Sequence, residues 1–322
     1  KTAPAAAFCS PPMAASATPP LAASTRGPLR LAILLLALTI ITILKGALTT
    51  STGSGMAYPD WPLSDGQLMP ESSYTTLAGF LEHFHRLFAT SAGLVALAIA
   101  LWLHFGRLAD RTARMTAWGG GCLLLVQGVV GGTGVLKNLP TITSVTHGTL
   151  AQLTLATFAW LAYQLSERFQ RTPPATSAPP GSGRRLMLFA LGVLVVQTVI
   201  GALARHTNSP HALWTHVGNA FVVFLVAAIA SAFAIGRLGD TPGIKGVARS
   251  IVWLLIAQIA LGFVALVVRN PDGKRPENVD NLGAAVVISS HVVIGALLTT
   301  LVAALAAHVF RATRSPDAEP RA

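Results

Sequence analysis

Four histidines recur at similar places in long apolar segments of the chain, and one carboxylate accompanies the first of them. The histidines are His85, His147, His216 and His291, and Glu82 lies three residues before His85. Imidazoles that face each other from two helices can bind a haem iron on both sides. A nearby carboxylate can carry protons in a reaction. These residue types therefore predict haem chemistry, with two histidines for each haem.

Each histidine lies near the start of the second helix of a helical pair, and this pair is repeated four times. The first helices of the pairs share a Gln, or in one case a Thr, followed four residues later by Gly. Small residues at these positions would let neighbouring helices approach closely. The four sets are Thr42 and Gly46, Gln127 and Gly131, Gln197 and Gly201, and Gln258 and Gly262.

The histidines are predicted to share one depth in a membrane. Three of them, His147, His216 and His291, are followed by an uncharged helical run of about 18 residues, which spans about 27 Å. This length nearly equals the hydrocarbon thickness, so the histidines are expected near the outer edge and facing the bundle interior. A single membrane histidine is also explained by hydrogen bonding between helices, but four at equivalent positions favour a cofactor site.

The composition indicates a membrane protein, because 52% of the 322 residues are hydrophobic and only 11% are charged. Soluble domains carry about 25% charged residues. The net charge of +11 comes from short clusters between uncharged runs, a distribution that excludes a nucleic-acid surface. We predict an all-α integral membrane protein whose eight transmembrane helices form two pseudo-symmetric four-helix bundles. The predicted spans are 31–50, 83–103, 115–136, 144–165, 186–204, 212–235, 248–268 and 285–309.

The excess of Lys and Arg between alternate spans predicts that both termini are cytoplasmic and that the histidines lie near the outer face. The expected location is a bacterial-type cell membrane, which the chain crosses many times. The predicted domains are a disordered segment at 1–30, a four-helix bundle at 31–165, a cytoplasmic linker at 166–185, a second four-helix bundle at 186–309 and a cytoplasmic tail at 310–322.

Glu82, His85 and Arg86 share one helix face, because they are spaced by three and four residues. An acidic residue in a membrane helix is a functional candidate, although a Glu at a helix start also stabilises the helix dipole. Arg86 could pair with a haem propionate or anchor the helix at the headgroups. The second half has no such Glu, since Thr215 and Ser290 precede its histidines. This asymmetry predicts that the first half carries out chemistry, while the second holds a structural or electron-transfer haem.

With these motifs the chain resembles the haem A synthase family of cytochrome oxidase assembly. The resemblance extends from about residue 33 to 308, and its clearest parts are the first outer loop and the four spaced histidines. The matching motifs lie at 52–62, 66–70, 82–86, 127–132, 146–147 and 197–207.

The resemblance implies an oxidoreductase that converts the C8 methyl of haem O into a formyl group through a hydroxylated intermediate. It implies that haem b is the cofactor, bound by His216 and His291, and that the substrate haem O is bound by His85 and His147. Glu82 would be the catalytic carboxylate. Arg86 is the candidate partner of the substrate propionate. Other expected partners are membrane lipid, haem O synthase or oxidase assembly factors, and an electron acceptor or donor.

One departure concerns the first outer loop, where many members of that family carry a cysteine pair. Tyr58 and Ser64 stand at those places, and no predicted outer loop contains a cysteine, which excludes a thiol-based role for this loop.

The alternative function is a non-catalytic haem b-binding protein in electron transfer or oxidase assembly. A transporter with inverted repeats would need a site at the membrane midplane, whereas these histidines are expected at the outer edge.

Overall fold

The computed structural model describes residues 25–106, 109–172, 180–207, 209–269 and 281–313, and every regular element in these ranges is an α-helix. Most of the predicted N-terminal segment, the centre of the linker, most of the last outer loop and most of the tail lie outside the described residues. The helices are α1 (Arg26–Ser51), α2 (Ser72–Thr75), α3 (Leu77–Gly106), α4 (Arg111–Leu136), α5 (Thr141–Gln164), α6 (Glu167–Arg171), α7 (Pro180–His206), α8 (Pro210–Leu238), α9 (Ile244–Val268) and α10 (Leu282–Ala312).

Seven of the long helices in the described ranges, α1, α3, α4, α7, α8, α9 and α10, are long and apolar enough to cross a membrane. Their outward faces carry large apolar side chains such as Leu125, Trp253 and Val267, which are 70% or more exposed. Such a surface is typical of contact with lipid. The chain is therefore an all-helical, multi-pass membrane protein. The eighth predicted span stays a prediction, because the first half of α5 is rich in Thr, Ser, His and Gln.

The helices begin a few residues earlier than the predicted spans, because a helix can extend beyond the membrane core. Helix α3 begins at Leu77, six residues before its predicted start, so Glu82 lies in its second turn. The interpretation of Glu82 as a residue of the first helical turn is therefore wrong. Helix α7 likewise begins at Pro180. Helix α8 begins with Pro210 after Ser209, whose side chain accepts a hydrogen bond from the Ala212 N–H.

The long helices contact one another in two sets of four. Helix α3 packs against α1 and α4, and α5 completes the first set through its contacts with α4 and α1. Helices α7, α8, α9 and α10 contact one another in the same cyclic order. Contacts of α10 with α1 and α5, and of α5 with α7, join the two sets. Ala296 of α10 is fully buried against Ile43 and Leu155 at this junction, where a small side chain permits close helix packing.

The densely packed apolar core lies on one side of the histidines. Buried core residues Ala92, Val223 and Leu298 stand seven residues after His85, His216 and His291, and each core continues from there toward the following helix end. Seven helical residues advance about 10 Å. The histidines are therefore held two turns beyond the region where aliphatic packing is continuous.

Candidate functional site

His85 and His147 form the first pair, with ring centres 6.3 Å apart and ring planes at 78°. Nδ1 of His85 lies 2.9 Å from the carbonyl oxygen of Thr42, and Nδ1 of His147 lies 3.1 Å from that of Gln127. A carbonyl oxygen can only accept, so both Nδ1 atoms donate. In a neutral ring this leaves Nε2 with a free lone pair, which is the arrangement that a metal-binding histidine needs.

His216 and His291 form the second pair, with ring centres 6.1 Å apart and ring planes at 81°. Here the repeated glutamines hold the helix backbone, since Gln197 and Gln258 each donate from Nε2 to the carbonyl oxygen of a histidine at 3.0 Å. Gln197 in turn accepts a hydrogen bond of 2.8 Å from Asn219. Within the described residues, both Nδ1 atoms of this pair are buried without a hydrogen-bond partner. The second pair thus repeats the ring geometry of the first with different hydrogen bonding.

All four rings lie against the glycines of the sequence repeat. A Cβ atom on Gly46, Gly131 or Gly201 would lie 2.7 Å from Cε1 of the facing histidine, and one on Gly262 would lie 3.0 Å from it. Real Cβ atoms are almost never found below 3.0 Å, so any side chain at the first three positions would displace the imidazole. These glycines therefore make room for histidine rings. The sequence predicted only that these glycines let helices approach closely, and the structure shows that each one faces a histidine ring. Gly46 makes the same contact as the other three glycines, so it belongs to the repeat.

The distance between the rings suits one iron atom bound from two sides. Two imidazoles with metal–nitrogen bonds of about 2.0–2.1 Å on opposite sides of a metal put their ring centres about 6 Å apart. Both pairs have this separation. In the described part of the chain, no group of three or more His, Cys, Asp or Glu side chains could hold a metal ion. Two facing histidines without further protein ligands fit haem, because the porphyrin supplies the other four nitrogens.

Glu82 and Arg86 are close partners beside the first pair. Glu82 is only 3% exposed, and one of its carboxylate oxygens accepts from Arg86 while the other accepts from the Tyr58 N–H at 3.1 Å. Arg86 also donates to the carbonyl oxygens of Tyr58, Asp60 and Leu63. Its two terminal nitrogens thus serve four acceptors, which is their full complement of N–H groups. The predicted bond from Arg86 to a haem propionate stays a prediction, and only the Nε–H is left to make it.

Tyr58 and Ser64, which stand where the resembling family often has cysteines, are both buried in the loop. The Tyr58 hydroxyl shares a hydrogen bond of 2.9 Å with Ser72, and the Ser64 hydroxyl shares one of 3.0 Å with Nδ1 of His83. The first outer loop is therefore anchored to α3 by polar contacts.

Asp60 organises the turn at the tip of this loop. Its carboxylate accepts hydrogen bonds from the Asp65 and Gly66 N–H groups at 2.9 and 2.8 Å. The Gly66 N–H, with a smaller contribution from that of Asp65, holds the pKa of Asp60 below its ordinary value. Gly66 has φ of +67°, a backbone conformation that favours glycine.

The loop also reaches the helix that positions the second ring of the first pair. The indole of Trp61 packs directly on Gly132 of α4, the residue after the glycine that faces His147. Leu139 beyond the end of α4 contacts Gly55 at the other side of the loop. The first outer loop therefore contacts both α3 and α4 next to the two histidines of the first pair.

Sequence reasoning identified the histidines, the glycines and Glu82, which the fold brings into two pairs and one adjacent carboxylate. It missed His83 as a loop anchor, and it missed the full use of Arg86 in holding the loop. The proximity of His83 to Glu82 in the same apolar-flanked motif was the available signal. The loop partners of both residues lie 19 or more positions away along the chain, so spacing within the helix could not reveal them.

Comparison with known proteins identifies relatives of this chain. The sequence pattern of the COX15-CtaA family, described as a cytochrome oxidase assembly protein, matches residues 29–220, which is more than half of the chain. A "Heme A synthase" of Symbiobacterium thermophilum is 28% identical over 252 residues, covering 70% of this chain and 81% of that protein. One from Rhizorhabdus wittichii is 26% identical over 303 residues, covering 74% and 84%.

A third "Heme A synthase", from Bacillus licheniformis, is 26% identical over 173 residues, covering 52% of this chain and 55% of that protein. The chain thus spans about half the length of some relatives and most of the length of others. With a family match over more than half of its residues, the chain belongs to the COX15-CtaA family of cytochrome oxidase assembly proteins.

Proposed function

We propose that this protein is a haem A synthase, which oxidises the C8 methyl group of haem O to a formyl group for cytochrome oxidase. The observation that carries this proposal is the asymmetry between two similar histidine pairs. Both pairs have ring separations suited to one haem iron, but among the described residues a buried carboxylate, Glu82, accompanies the first pair and not the second. The names of the matching relatives support the same reaction.

In this proposal the eight long helices all cross the membrane, in two four-helix bundles at 31–165 and 186–309. The two cyclic sets of helix contacts support this division. Helix α5 has 24 residues, and at about 1.5 Å per residue it is long enough for a span. It is surrounded by helices on several sides, since α5 contacts α1, α4, α7 and α10. The termini would be cytoplasmic and both histidine pairs near the outer face.

The second pair, His216 and His291, would hold haem b as the resident cofactor. When bound there, haem b would supply a one-electron carrier within the protein. The protein's part is to present two Nε2 atoms at the right separation. Gly201 and Gly262 leave room for the rings. Gln258 lies 3.4 Å from Nε2 of His291, so its amide would have to turn away when a metal is bound.

The first pair, His85 and His147, would hold the substrate haem O. Both rings are already oriented by Nδ1 hydrogen bonds to carbonyl groups, which prepares Nε2 for the substrate iron. The first outer loop, which contacts both α3 and α4, would limit the access of water. Such exclusion favours oxidation of the methyl group over side reactions.

Glu82 would act as the carboxylate that takes up protons from the reacting methyl group. It lies three residues from His85, about 4.5 Å along the helix. Conversion of a methyl into a formyl group with an oxygen atom from water releases four electrons and four protons, so an electron acceptor and a path for the protons are both required. Arg86 and the Tyr58 N–H hold the carboxylate in one position, as general acid–base catalysis requires.

The test measures haem A in cells that lack any other haem A synthase but still make haem O. We expect the wild-type chain to produce haem A, identified by extraction and chromatography of the pigments. Glu82→Gln keeps the size of the side chain but removes the proton-accepting carboxylate. We expect it to lower haem A at least a hundredfold, in line with the loss of a general base.

Glu71→Gln is the matched control, because Glu71 is an exposed carboxylate next to the same loop and makes no side-chain cap bond to α2. It should leave haem A unchanged. Wild-type levels of haem A with Glu82→Gln would refute the catalytic role of this residue. A wild-type chain that binds haem b yet never makes haem A would instead identify a non-catalytic haem protein.

A further inference from the structure

Arg205, near the outer end of α7, reaches from the second set of helices into the first. Its guanidinium donates to the carbonyl oxygen of Ala47 and to the hydroxyl of Ser51, both on α1 and both at 2.7 Å. The Ser51 hydroxyl shares a hydrogen bond of 3.2 Å with Ser289 on α10. Ala47, Ser51 and Ser289 are all buried. Three helices from two sets thus meet in one polar contact, which we term the Arg205 bridge.

The Arg205 bridge adjoins residues that position three of the four histidines. Arg205 follows Gly201 by one helical turn on the same face, and Gly201 faces His216. Ala47 follows Gly46, which faces His85. The third contact, Ser289, precedes His291 by two residues.

This arginine is not part of the fourfold repeat. The corresponding positions, four residues after the other glycines, hold Thr50, Val135 and Leu266. A cationic side chain at membrane depth is costly to place and is therefore usually functional. Arg205 also adds a charge-assisted hydrogen bond at the C-terminal end of α1, where a positive charge stabilises the helix dipole. The α1 end that carries Gly46 is therefore held from the other half of the chain.

We propose that Arg205 is a positioning residue, which fixes the first histidine pair from the second half of the chain. This inference rests on the proposed function, because it assumes that the first pair binds a haem. If the bridge is cut, the end of α1 can shift, and Gly46 then no longer holds the His85 ring at the separation that one iron requires. Haem binding at His85 and His147 should therefore depend on a residue that contacts neither histidine in the described structure.

The experiment uses the purified full-length chain with His216→Ala and His291→Ala, which leaves only the first pair. Haem b serves as the probe, because haem b and haem O both have an iron–porphyrin centre. Its binding is followed by absorption and electron paramagnetic resonance. We expect Arg205→Gln in this background to weaken haem b binding about tenfold and to convert part of the low-spin, two-histidine signal to high spin. Arg205→Lys, which can restore one hydrogen bond to Ala47, should give an intermediate result.

Lys137→Gln is the matched control, because Lys137 is an exposed cation at the corresponding end of α4. It should leave affinity and spin state unchanged. Equal effects of Lys137→Gln and Arg205→Gln, or unchanged binding with Arg205→Gln, would overturn the inference. If Arg205→Gln does not fold, Ser51→Ala decides, since it removes one acceptor and the link to Ser289 but keeps the charge. Ser51→Ala should weaken binding about threefold, and no effect would overturn the bridge.

The two hypotheses fail differently. A wild-type chain that binds no haem b at either pair overturns the proposed function and the bridge together. A wild-type chain that binds haem at both pairs, with a first pair indifferent to Arg205, overturns the bridge alone.

Discussion

At the scale of single residues, the contact between each histidine and its glycine is the feature that repeats most faithfully. The four imidazoles all present Cε1 to a glycine on the preceding long helix. Their hydrogen bonds differ between the halves, but this steric contact does not. The glycine thus determines where the ring lies, while the hydrogen bonds determine which nitrogen carries the proton.

Gly201→Ala is expected to weaken haem b binding at the second pair about tenfold. The added Cβ would lie 2.7 Å from Cε1 of His216, so the ring must move by several tenths of an ångström. Gly262→Ala, with a distance of 3.0 Å, should have a smaller effect. Titration of purified protein with haem b, followed by absorption, measures the dissociation constants.

The control for both substitutions is Gly218→Ala, because Gly218 lies on α8 beside His216 and has open space around its Cβ position. The dissociation constant of Gly218→Ala for haem b should equal that of the wild type. A wild-type affinity for Gly201→Ala would contradict the steric role of this glycine.

At the scale of elements, the first outer loop is held by polar contacts where related proteins are expected to use a cysteine pair. Arg86 supplies most of these contacts by donating to three loop carbonyl groups. His83 holds Ser64 from the same helix. The tip of the loop is closed in addition by the hydrogen bonds to the Asp60 carboxylate. The stability of this turn should therefore depend on the protonation of Asp60.

The Asp60 turn is expected to be stable at neutral pH and to loosen in acid. Because the folded pKa of Asp60 is lowered, its stabilising contribution is complete above the unfolded value, about 3.9, and is lost as pH falls through the folded pKa. Asp60→Asn should expose the Gly66 N–H to several-fold faster hydrogen exchange at pH 7. The difference from wild type should shrink below pH 4, after correction for intrinsic exchange rates.

Asp65→Asn provides the comparison, since the Asp65 side chain is exposed and its backbone, not its carboxylate, bonds to Asp60. In this variant the Gly66 N–H should exchange at the wild-type rate. If the ratio of the Gly66 exchange rates in Asp60→Asn and in the wild type is the same at all pH values, the Asp60 carboxylate does not control the turn.

At the scale of the whole molecule, two similar sets of four helices each combine a packed apolar end with a histidine pair beyond it. The buried cores begin seven residues after the histidines in both sets. The sets meet through α1, α5, α7 and α10. Each pair of histidines belongs to one set, so each site should survive the loss of the other.

Separate substitution of the two pairs tests this independence. His216→Ala or His291→Ala is expected to remove the contribution of the second pair to the b-type signal in the reduced-minus-oxidised spectrum, because one imidazole of the cofactor pair is lost. His85→Ala and His147→Ala should leave that signal largely in place. Spectra of protein purified after expression with ample haem provide the measurement. Loss of the signal in all four variants would refute the assignment of haem b to the second pair.

Much of this architecture could be predicted from the sequence, because it depends on local patterns. Long apolar runs require helices in a membrane, and the Gln and Gly spacing before each histidine revealed the repeat. The same spacing identified four equivalent histidines and the single Glu82. These features depend on distances of a few residues along one helix, where periodicity relates sequence to geometry directly.

Only the tertiary structure decided which groups meet across the chain. The pairing of rings at 6.3 and 6.1 Å and the fit of each ring against a glycine join residues on different helices. The three loop carbonyl groups that accept from Arg86 join the loop to α3. The Arg205 bridge joins positions 154 residues apart. Such contacts depend on helix rotation, tilt and loop path, which the packing of small and large side chains determines collectively. The two histidine pairs were thus predictable as a set of residues, while their shared geometry and their connection arise from the fold.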